Sequence, residues 1–183
     1  MRKLFLFMMV SLDGFFEGPD HELDWHNVDA EFNGFAVKQL DEAGILLFGR
    51  ITYEMMASFW PTEQGIKVDP ETARRMNSMQ KIVVSGTLND SGWNNTRIVR
   101  EIGELVKIKR EAGKPFLLLG SSGLAASLLP MGLIDEIRIM VNPIVLGNGR
   151  TLFRGIEGKT KMKFISSRVF RSGNILIKYR PLI

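Results

Sequence analysis

The sequence predicts a three-layer α/β/α protein whose mainly parallel central sheet ends in an antiparallel hairpin. Short apolar runs bounded by turn residues recur along most of the 183-residue chain. Their continuity, without polar alternation, is typical of strands buried on both faces of a parallel sheet. Segments with helical periodicity separate them, and this alternation of strands and helices places helices on both faces of the sheet.

Five apolar runs are the predicted parallel strands. They are Leu4–Val10, Ile45–Phe48, Lys81–Ser85, Arg97–Val99 and Phe116–Leu119. The first follows Met1-Arg2-Lys3 and has the outline of a secretory signal. It is short, however, and Ser11-Leu12-Asp13-Gly14 follows it without a small-residue cleavage pattern. We therefore expect a buried strand in a cytoplasmic protein.

Five segments between or after these strands are the predicted helices. They are Asp29–Ala43, Tyr53–Phe59, Pro70–Met79, Glu101–Ala112 and Ser122–Leu129. In the first, apolar side chains from Phe32 to Leu40 recur on one stripe. Pro70 suits the first turn of the third, and the last has a serine available as its N-cap. The region around Gly65–Asp69 is expected to be a loop.

The C-terminal third predicts antiparallel strands. Apolar residues alternate with Arg138 and Met140 from Ile137 to Val141, where Pro143 soon interrupts the pattern. Lys163–Phe170 and Asn174–Arg180 flank Arg171-Ser172-Gly173, which is a hairpin signal. No repeat, low-complexity tract or linker divides the chain, so residues 1–183 are expected to form a single domain.

Composition excludes several functional classes. With 45% hydrophobic and 24% charged residues the protein is typical of soluble globular domains, and it has no cysteine for disulfides or thiolate metal sites. The net charge of +4 comes from scattered basic residues, so no nucleic-acid partner is expected. No apolar run approaches the ~20 residues of a transmembrane helix, so no membrane partner is expected either.

Metal binding is not predicted. His21 and His26 are the only histidines, and their five-residue separation is not the spacing of a helical zinc motif. We interpret the segment that contains them as a mobile loop over the active site.

Four polar or glycine-rich segments follow predicted strands, where ligands of open parallel sheets bind. In Gly120-Ser121-Ser122-Gly123, small residues let the backbone approach a ligand, and helix-start amides bind phosphate. In Gly49-Arg50-Ile51-Thr52-Tyr53-Glu54, the arginine offers a planar fork to phosphate oxygens. Val83-Val84-Ser85-Gly86-Thr87 and Ser11-Leu12-Asp13-Gly14 add hydroxyls and a carboxylate.

Each segment also has a purely structural interpretation. The serines after Gly120 suit a tight turn with a cap, and Arg50 suits an exposed pair with Glu54. Ser85 and Asp13 both lie in sequences that favour ordinary turns. The first segment matches neither the dinucleotide fingerprint nor a P-loop. No segment alone therefore decides between ligand binding and turn chemistry.

Taken in order, the four segments resemble the dihydrofolate-reductase-like superfamily, and within it the C-terminal reductase domain of riboflavin-type deaminase-reductases. The similarity continues through Asp135-Glu136-Ile137-Arg138 and Asn142–Gly149 to Leu152-Phe153. It implies the dihydrofolate-reductase-like fold and an NADPH-dependent reductase of a pyrimidine- or pterin-like substrate, similar to 5-amino-6-(5-phosphoribosylamino)uracil reductase. The deaminase's zinc pattern is missing, so the resemblance implies a stand-alone reductase.

The resemblance also implies contacts with NADPH. Arg50 and Thr52, beside Gly49, would contact the adenosine-side phosphates, and Ser85 would lie by the adenine ribose and its extra phosphate. Val10 and Ser11 would lie near the nicotinamide. The pyrophosphate would bind backbone amides of Gly120, Ser121, Ser122, Gly123 and Leu124.

On the substrate side, the resemblance implies a small molecule bound near Asp13, Trp25, Glu31 and Gly147, with Asp13 as the catalytic residue. Folate enzymes hold their pterin with a carboxylate on the first helix, and Asp29 or Glu31 lies in that region. Both acidic residues equally suit a helix N-terminus.

Two other functions and one assembly state stay open. The chain suits a dihydrofolate reductase or a non-catalytic nucleotide-binding module. The resemblance implies a homodimer, for which Ile137, Ile139 and Val141 suit the interface. The same residues equally suit an internal core strand.

Overall fold

One eight-stranded sheet dominates the computed structural model, which describes all 183 residues. The strands are β1 (Leu4–Val10), β2 (Phe15–Glu17), β3 (Ile45–Gly49), β4 (Gln80–Val84), β5 (Thr96–Val99), β6 (Phe116–Leu119), β7 (Glu136–Val141), β8 (Arg150–Thr151), β9 (Lys161–Val169) and β10 (Ile175–Leu182). The helices are α1 (Ala30–Glu42), α2 (Arg50–Phe59), α3 (Glu63–Val68), α4 (Pro70–Ser78), α5 (Ile102–Arg110) and α6 (Ser122–Leu128). None of these helices has both the length and the apolar character needed to span a membrane.

The sheet order is β5-β4-β3-β6-β1-β7-β10-β9. The strands from β5 to β7 are mutually parallel, whereas β10 runs antiparallel to both β7 and β9. The predicted parallel sheet with a C-terminal antiparallel hairpin is therefore confirmed. Strands β2 and β8 form a separate two-stranded antiparallel sheet.

Two apolar cores lie on opposite faces of the sheet and produce the three predicted layers. Successive side chains of a strand point to opposite faces, so Leu4 and Leu6 of β1 pack with α5 and α6. Phe5 and Phe7 pack on the other face with α1, α2 and α4. Strand β1 is buried along its whole length, as its continuous apolar sequence requires.

The expected loop around Gly65–Asp69 is wrong, because α3 occupies Glu63–Val68. The Thr62 side chain accepts a hydrogen bond from Gly65 N at 3.1 Å and so caps this short helix. Gly65 is buried against the preceding turn, where a Cβ atom would collide with the Phe59 carbonyl oxygen. A short polar segment becomes helical here because of its cap and its tertiary packing.

Strand β7 is an interior strand of the sheet, as the second interpretation of Ile137, Ile139 and Val141 expected, and the homodimer stays a prediction. It pairs with β1 on one side and β10 on the other, and Ile137 belongs to a buried core. The outer strand at the β10 side of the sheet is β9, whose nine residues are almost all exposed.

Candidate active site

The junction between the ends of β3 and β6 brings together four residues predicted to bind a cofactor. Gly49 N donates a hydrogen bond to Ser121 Oγ at 2.7 Å, and Ser121 Oγ donates one to Thr52 Oγ1 at 2.9 Å. Gly120 N donates to the Phe7 carbonyl of β1 at 3.1 Å. The ends of β3 and β6 are thus tied to each other, and the residue after β6 is tied to β1, at the carboxyl edge of the sheet.

The backbone of Gly120 and Ser121 is left-handed, with φ values of +62° and +61°. A left-handed serine is disfavoured by about 1–2 kcal/mol, and the two hydrogen bonds of its hydroxyl offset that strain. A Cβ atom at Gly120 would lie 3.3 Å from Thr52 Cγ2. The junction therefore depends on glycine at this position.

Helices that begin at this edge leave their first amides uncapped. Side chains of Asp29, Thr62 and Asp69 cap α1, α3 and α4. By contrast, α2, α5 and α6 follow β3, β5 and β6 and have no side-chain cap. The first amides of a helix have no intrahelical acceptor and carry partial positive charge, so this edge favours an anionic ligand.

Ser85 and Arg100 extend the same edge toward β5. The Arg100 guanidinium donates to the carbonyl oxygens of Ser85 at 3.1 Å and Leu88 at 2.5 Å. Ser85 Oγ accepts hydrogen bonds from Thr87 N and Leu88 N, as an ordinary turn requires. Sequence reasoning missed Arg100, although it follows its strand directly, as Arg50 follows β3.

Arg50 itself forms the exposed pair that its structural interpretation predicted. Its Nη1 lies 2.9 Å from Glu54 Oε2, and both side chains are nearly half exposed. Ser122, Gly123 and Leu124 form the first turn of α6, and the Leu124 side chain packs into the core. All the predicted cofactor residues thus lie along one edge. The side chains of Ser85 and Leu124 do not face a ligand there, because the first is used in its own turn and the second packs in the core.

At the end of β1, the Asp13 carboxylate holds a distant loop. It accepts hydrogen bonds from Ser11 Oγ at 2.6 Å, Leu146 N at 3.1 Å and Gly147 N at 2.8 Å. These contacts, with the Ser11 hydroxyl as the largest cause, hold the pKa of Asp13 below its ordinary value. An ionised carboxylate donates no proton near neutral pH, so the contacts give Asp13 a positioning role. Its catalytic role stays a prediction.

A cavity of about 360 Å³ lies beside this edge, between β1, β6 and the helices α1, α2 and α4. Its wall is mostly apolar, and Thr52, Gly120 and Ser121 of the junction also line it. Representative apolar members are Phe7, Met9, Phe32, Leu40, Met56 and Trp60. Its volume is at the lower end of the range for small-molecule sites.

Two polar atoms of the cavity residues are buried without a hydrogen-bond partner, which is rare in folded proteins. They are His26 Nε2 and Thr72 Oγ1. Burial lowers the pKa of His26 to about 4, so its imidazole is neutral at pH 7. The cavity therefore offers two uncharged hydrogen-bonding groups in an apolar wall.

The lowered pKa of His26 predicts a specific loss of stability in acid. Between pH 6.5 and 4 the unfolded state binds a proton that the folded state excludes, so the free energy of unfolding falls as pH decreases. We expect protonation linked to this histidine to lower the free energy of unfolding by roughly 2 kcal/mol between pH 7 and pH 5. Urea denaturation at both pH values should show that His26→Gln reduces the difference by this amount. His21→Gln, which removes the other histidine at an exposed position, is the matched comparison.

Buried asparagines hold the segment that carries His26. Asn142 is fully buried, and its Oδ1 accepts from Asn27 N at 3.0 Å while its Nδ2 donates to the Val10 carbonyl at 3.1 Å. Asn174 Nδ2 donates to the Asn27 carbonyl at 2.7 Å. His26 is thereby fixed relative to the end of β1 and the β9–β10 hairpin.

None of the four predicted substrate residues lines the cavity, and Asp13 and Gly147 instead contact each other beyond the end of β1. Trp25 donates its indole N–H to the Glu22 carbonyl, and Glu31 pairs with Arg168 at 2.6 Å and accepts from Arg171 N. Asp29 caps α1 by accepting from Phe32 N at 2.8 Å. Toward the cavity α1 presents Asn33 and Gln39 as its polar residues, with no carboxylate, so a folate-type contact from α1 is missing.

Comparison with known proteins gives one family over almost the whole chain. The model of the RibD C-terminal domain matches residues 2–176. Uncharacterized protein YyaP of Bacillus subtilis is 31% identical over 182 residues, which cover 97% of this chain and 94% of YyaP.

Solved structures share the fold at low sequence identity. A putative riboflavin biosynthesis protein from Shewanella is 23% identical, with a TM-score of 0.77 and 99% of each chain covered. A deaminase/5-amino-6-(5-phosphoribosylamino)uracil reductase from Thermotoga maritima has a TM-score of 0.70 at 13% identity, covering 99% of this chain and 57% of that one. Dihydrofolate reductase from Enterococcus faecalis, complexed with NADP(H), has a TM-score of 0.67 at 15% identity, covering 98% and 96%. These likenesses establish the dihydrofolate-reductase-like fold.

Proposed function

This chain belongs to the RibD C-terminal domain family, and from that premise we propose that it is an NADPH-dependent reductase of a pyrimidine- or pterin-like ring. The observation that carries the proposal is the continuity of two unlike surfaces. Thr52, Gly120 and Ser121 belong both to the junction at the carboxyl edge and to the wall of the apolar cavity. A ligand with an anionic half and a flat ring fits this arrangement.

The residues at the edge fit a phosphorylated dinucleotide. Uncapped amides at the start of α2, a glycine that lets the backbone come close, and the exposed guanidinium of Arg50 supply donors for phosphate. Arg100, beside Ser85, supplies a second guanidinium farther along the edge. We propose that this second arginine holds the extra phosphate near the adenine ribose.

When bound, the dihydronicotinamide supplies a hydride, and one proton from solvent completes the two-electron reduction of the substrate ring. The chain itself orients the two rings and excludes water, since the cavity wall is mostly apolar. The Asp13 contacts hold the 146–147 loop beside the end of β1, where the rings would meet. Asp13 is proposed here as a positioning residue.

Replacing Arg100 or Arg50 with alanine is expected to weaken NADPH binding roughly 10- to 100-fold, because each removes a charge-assisted contact with phosphate. NADH lacks the extra phosphate, so its affinity should change much less in the Arg100 variant. Isothermal titration calorimetry with both nucleotides measures the change in selectivity.

Arg97→Ala is the matched control, since Arg97 is an exposed arginine of β5 whose nearest carboxylate is 3.8 Å away. We expect it to leave both affinities unchanged. Equal losses of NADPH affinity in all three variants would indicate a general charge effect and would remove the assigned phosphate contacts.

We also propose that the chain forms a homodimer through β9. An exposed edge strand with Phe164 at 56% and Val169 at 71% exposure is a ready surface for a second copy. Light scattering should give twice the monomer mass, and the double substitution Phe164→Lys and Val169→Lys should reduce the measured mass to that of a monomer. A monomeric wild-type protein would contradict the proposal.

A further inference from the structure

The cavity wall contains no lysine or arginine. This matters because the substrate of the riboflavin-type reductase named among the similar structures carries a phosphate. A phosphate moved into an apolar site without a cationic partner loses its hydration, which costs several kcal/mol. The charge pattern of this wall therefore opposes a phosphorylated substrate.

The ionisable groups of the wall make the opposition stronger. Its two carboxylates are Glu17 and Asp69. Glu17 pairs with His21 at 3.1 Å and Arg150 at 3.4 Å, and Asp69 caps α4 by accepting from Thr72 N. Arg150 is the cation that contacts a residue of this wall, and it is already paired with Glu17. Apart from the helix-start amides beside Thr52, which are assigned to the cofactor, the wall is thus neutral to negative and offers no free cation to a second phosphate.

The remaining wall favours a flat apolar molecule with few polar groups. Methionines from β1, α2 and α4 line it, among them Met9, Met56 and Met76. Thioether side chains are flexible and polarizable, and they pack well against aromatic rings. His26 Nε2 and Thr72 Oγ1 are buried without partners, so they are available to one or two uncharged polar atoms of a ligand.

From these observations we propose that the substrate cavity takes an uncharged, unphosphorylated aromatic ring compound and discriminates against its phosphorylated form. The proposal rests on the reductase function above, because it identifies the second reactant of the same site. The reduction would place a hydride from the cofactor on the ring and a proton from solvent on the neighbouring atom. No phosphate contact takes part in that step.

The test compares two probes that share one ring. 2-Naphthol is uncharged at pH 7, whereas 2-naphthyl phosphate carries the charge that the wall should reject. Calorimetric titration of the full chain, with and without NADPH, should give saturable binding of 2-naphthol that is at least about 30-fold tighter than that of the phosphate. Thr72→Val removes the unpartnered hydroxyl but keeps the shape of the side chain, and it should weaken the binding of 2-naphthol by several-fold.

A charge-insertion variant isolates the cause of the discrimination. Val68 lines the cavity and is 65% exposed, so Val68→Lys adds a cation at its mouth without burying it. We expect the phosphate probe to bind roughly tenfold more tightly in this variant. Ile66→Lys is the matched control, because Ile66 lies on the same helix at 47% exposure but does not line the cavity. It should change the ratio of affinities less than twofold.

The outcomes separate this inference from the reductase proposal. If NADPH binds but 2-naphthyl phosphate binds as tightly as 2-naphthol, or if neither probe binds, the inference is overturned and the reductase proposal stands. If 2-naphthol binds selectively while NADPH does not bind, the cavity chemistry stands and the reductase proposal falls.

Discussion

Replacing Gly120 with valine is expected to lower the affinity for NADPH at least about 100-fold, since small displacements in a preorganised site have effects of this size. Gly120 has a φ of +62°, which a β-branched residue adopts only with strain. Its Cβ would also press on Thr52 Cγ2 at 3.3 Å and separate the ends of β3 and β6. Calorimetry with NADPH measures the effect on the folded protein.

Gly132 provides the matched control for backbone strain. Its φ is +67°, and a Cβ atom there would lie 3.7 Å from Ile183, far from the junction. Gly132→Val should therefore lower the free energy of unfolding by about as much as Gly120→Val does, about 1–3 kcal/mol. It should keep its affinity for NADPH. An unchanged NADPH affinity in Gly120→Val would remove the junction from the cofactor site.

Replacing Asn142 with alanine is expected to lower the free energy of unfolding by about 3 kcal/mol. The change leaves Asn27 N without its acceptor, removes the side-chain hydrogen bond to the Val10 carbonyl, which keeps the one from Asn142 N, and creates a small cavity at a fully buried position. Because Asn27 adjoins His26, ligands of the cavity should bind more weakly as well. Urea denaturation and titration with 2-naphthol measure the two effects.

Asn148→Ala serves as the comparison, since the exposed Asn148 only accepts a hydrogen bond from Gly149 N. Its free energy of unfolding should change by less than about 0.5 kcal/mol. Equal losses in the two variants would show that the asparagine network does not hold the segment.

The strands and helix ends with a clear local sequence pattern could be predicted from the sequence. The continuous apolar runs of β1 and β6 gave their bounds residue for residue, because both strands are buried on both faces. Asp29 was recognisable as a helix-start residue and does cap α1. The junction residues were found because ligand-binding segments follow parallel strands, and the parallel order places those strand ends together.

The features that sequence reasoning missed depend on contacts between distant segments. Strands β2 and β8 pair Phe15 with Thr151, and no local pattern predicts that pairing. His26 was considered as a metal ligand and as part of a loop over the active site, whereas its place in the cavity wall depends on Asn142, which lies 115 residues away from Asn27. The apolar wall likewise arises from the convergence of three helices on β1 and β6.

The most direct test of the central claim is calorimetric titration of the purified chain with NADPH and, separately, with NADH. The account predicts saturable one-to-one binding of NADPH that is at least tenfold tighter than that of NADH, as a charge-assisted contact with the extra phosphate requires. Equal affinities for the two nucleotides, or no binding of either, would contradict it.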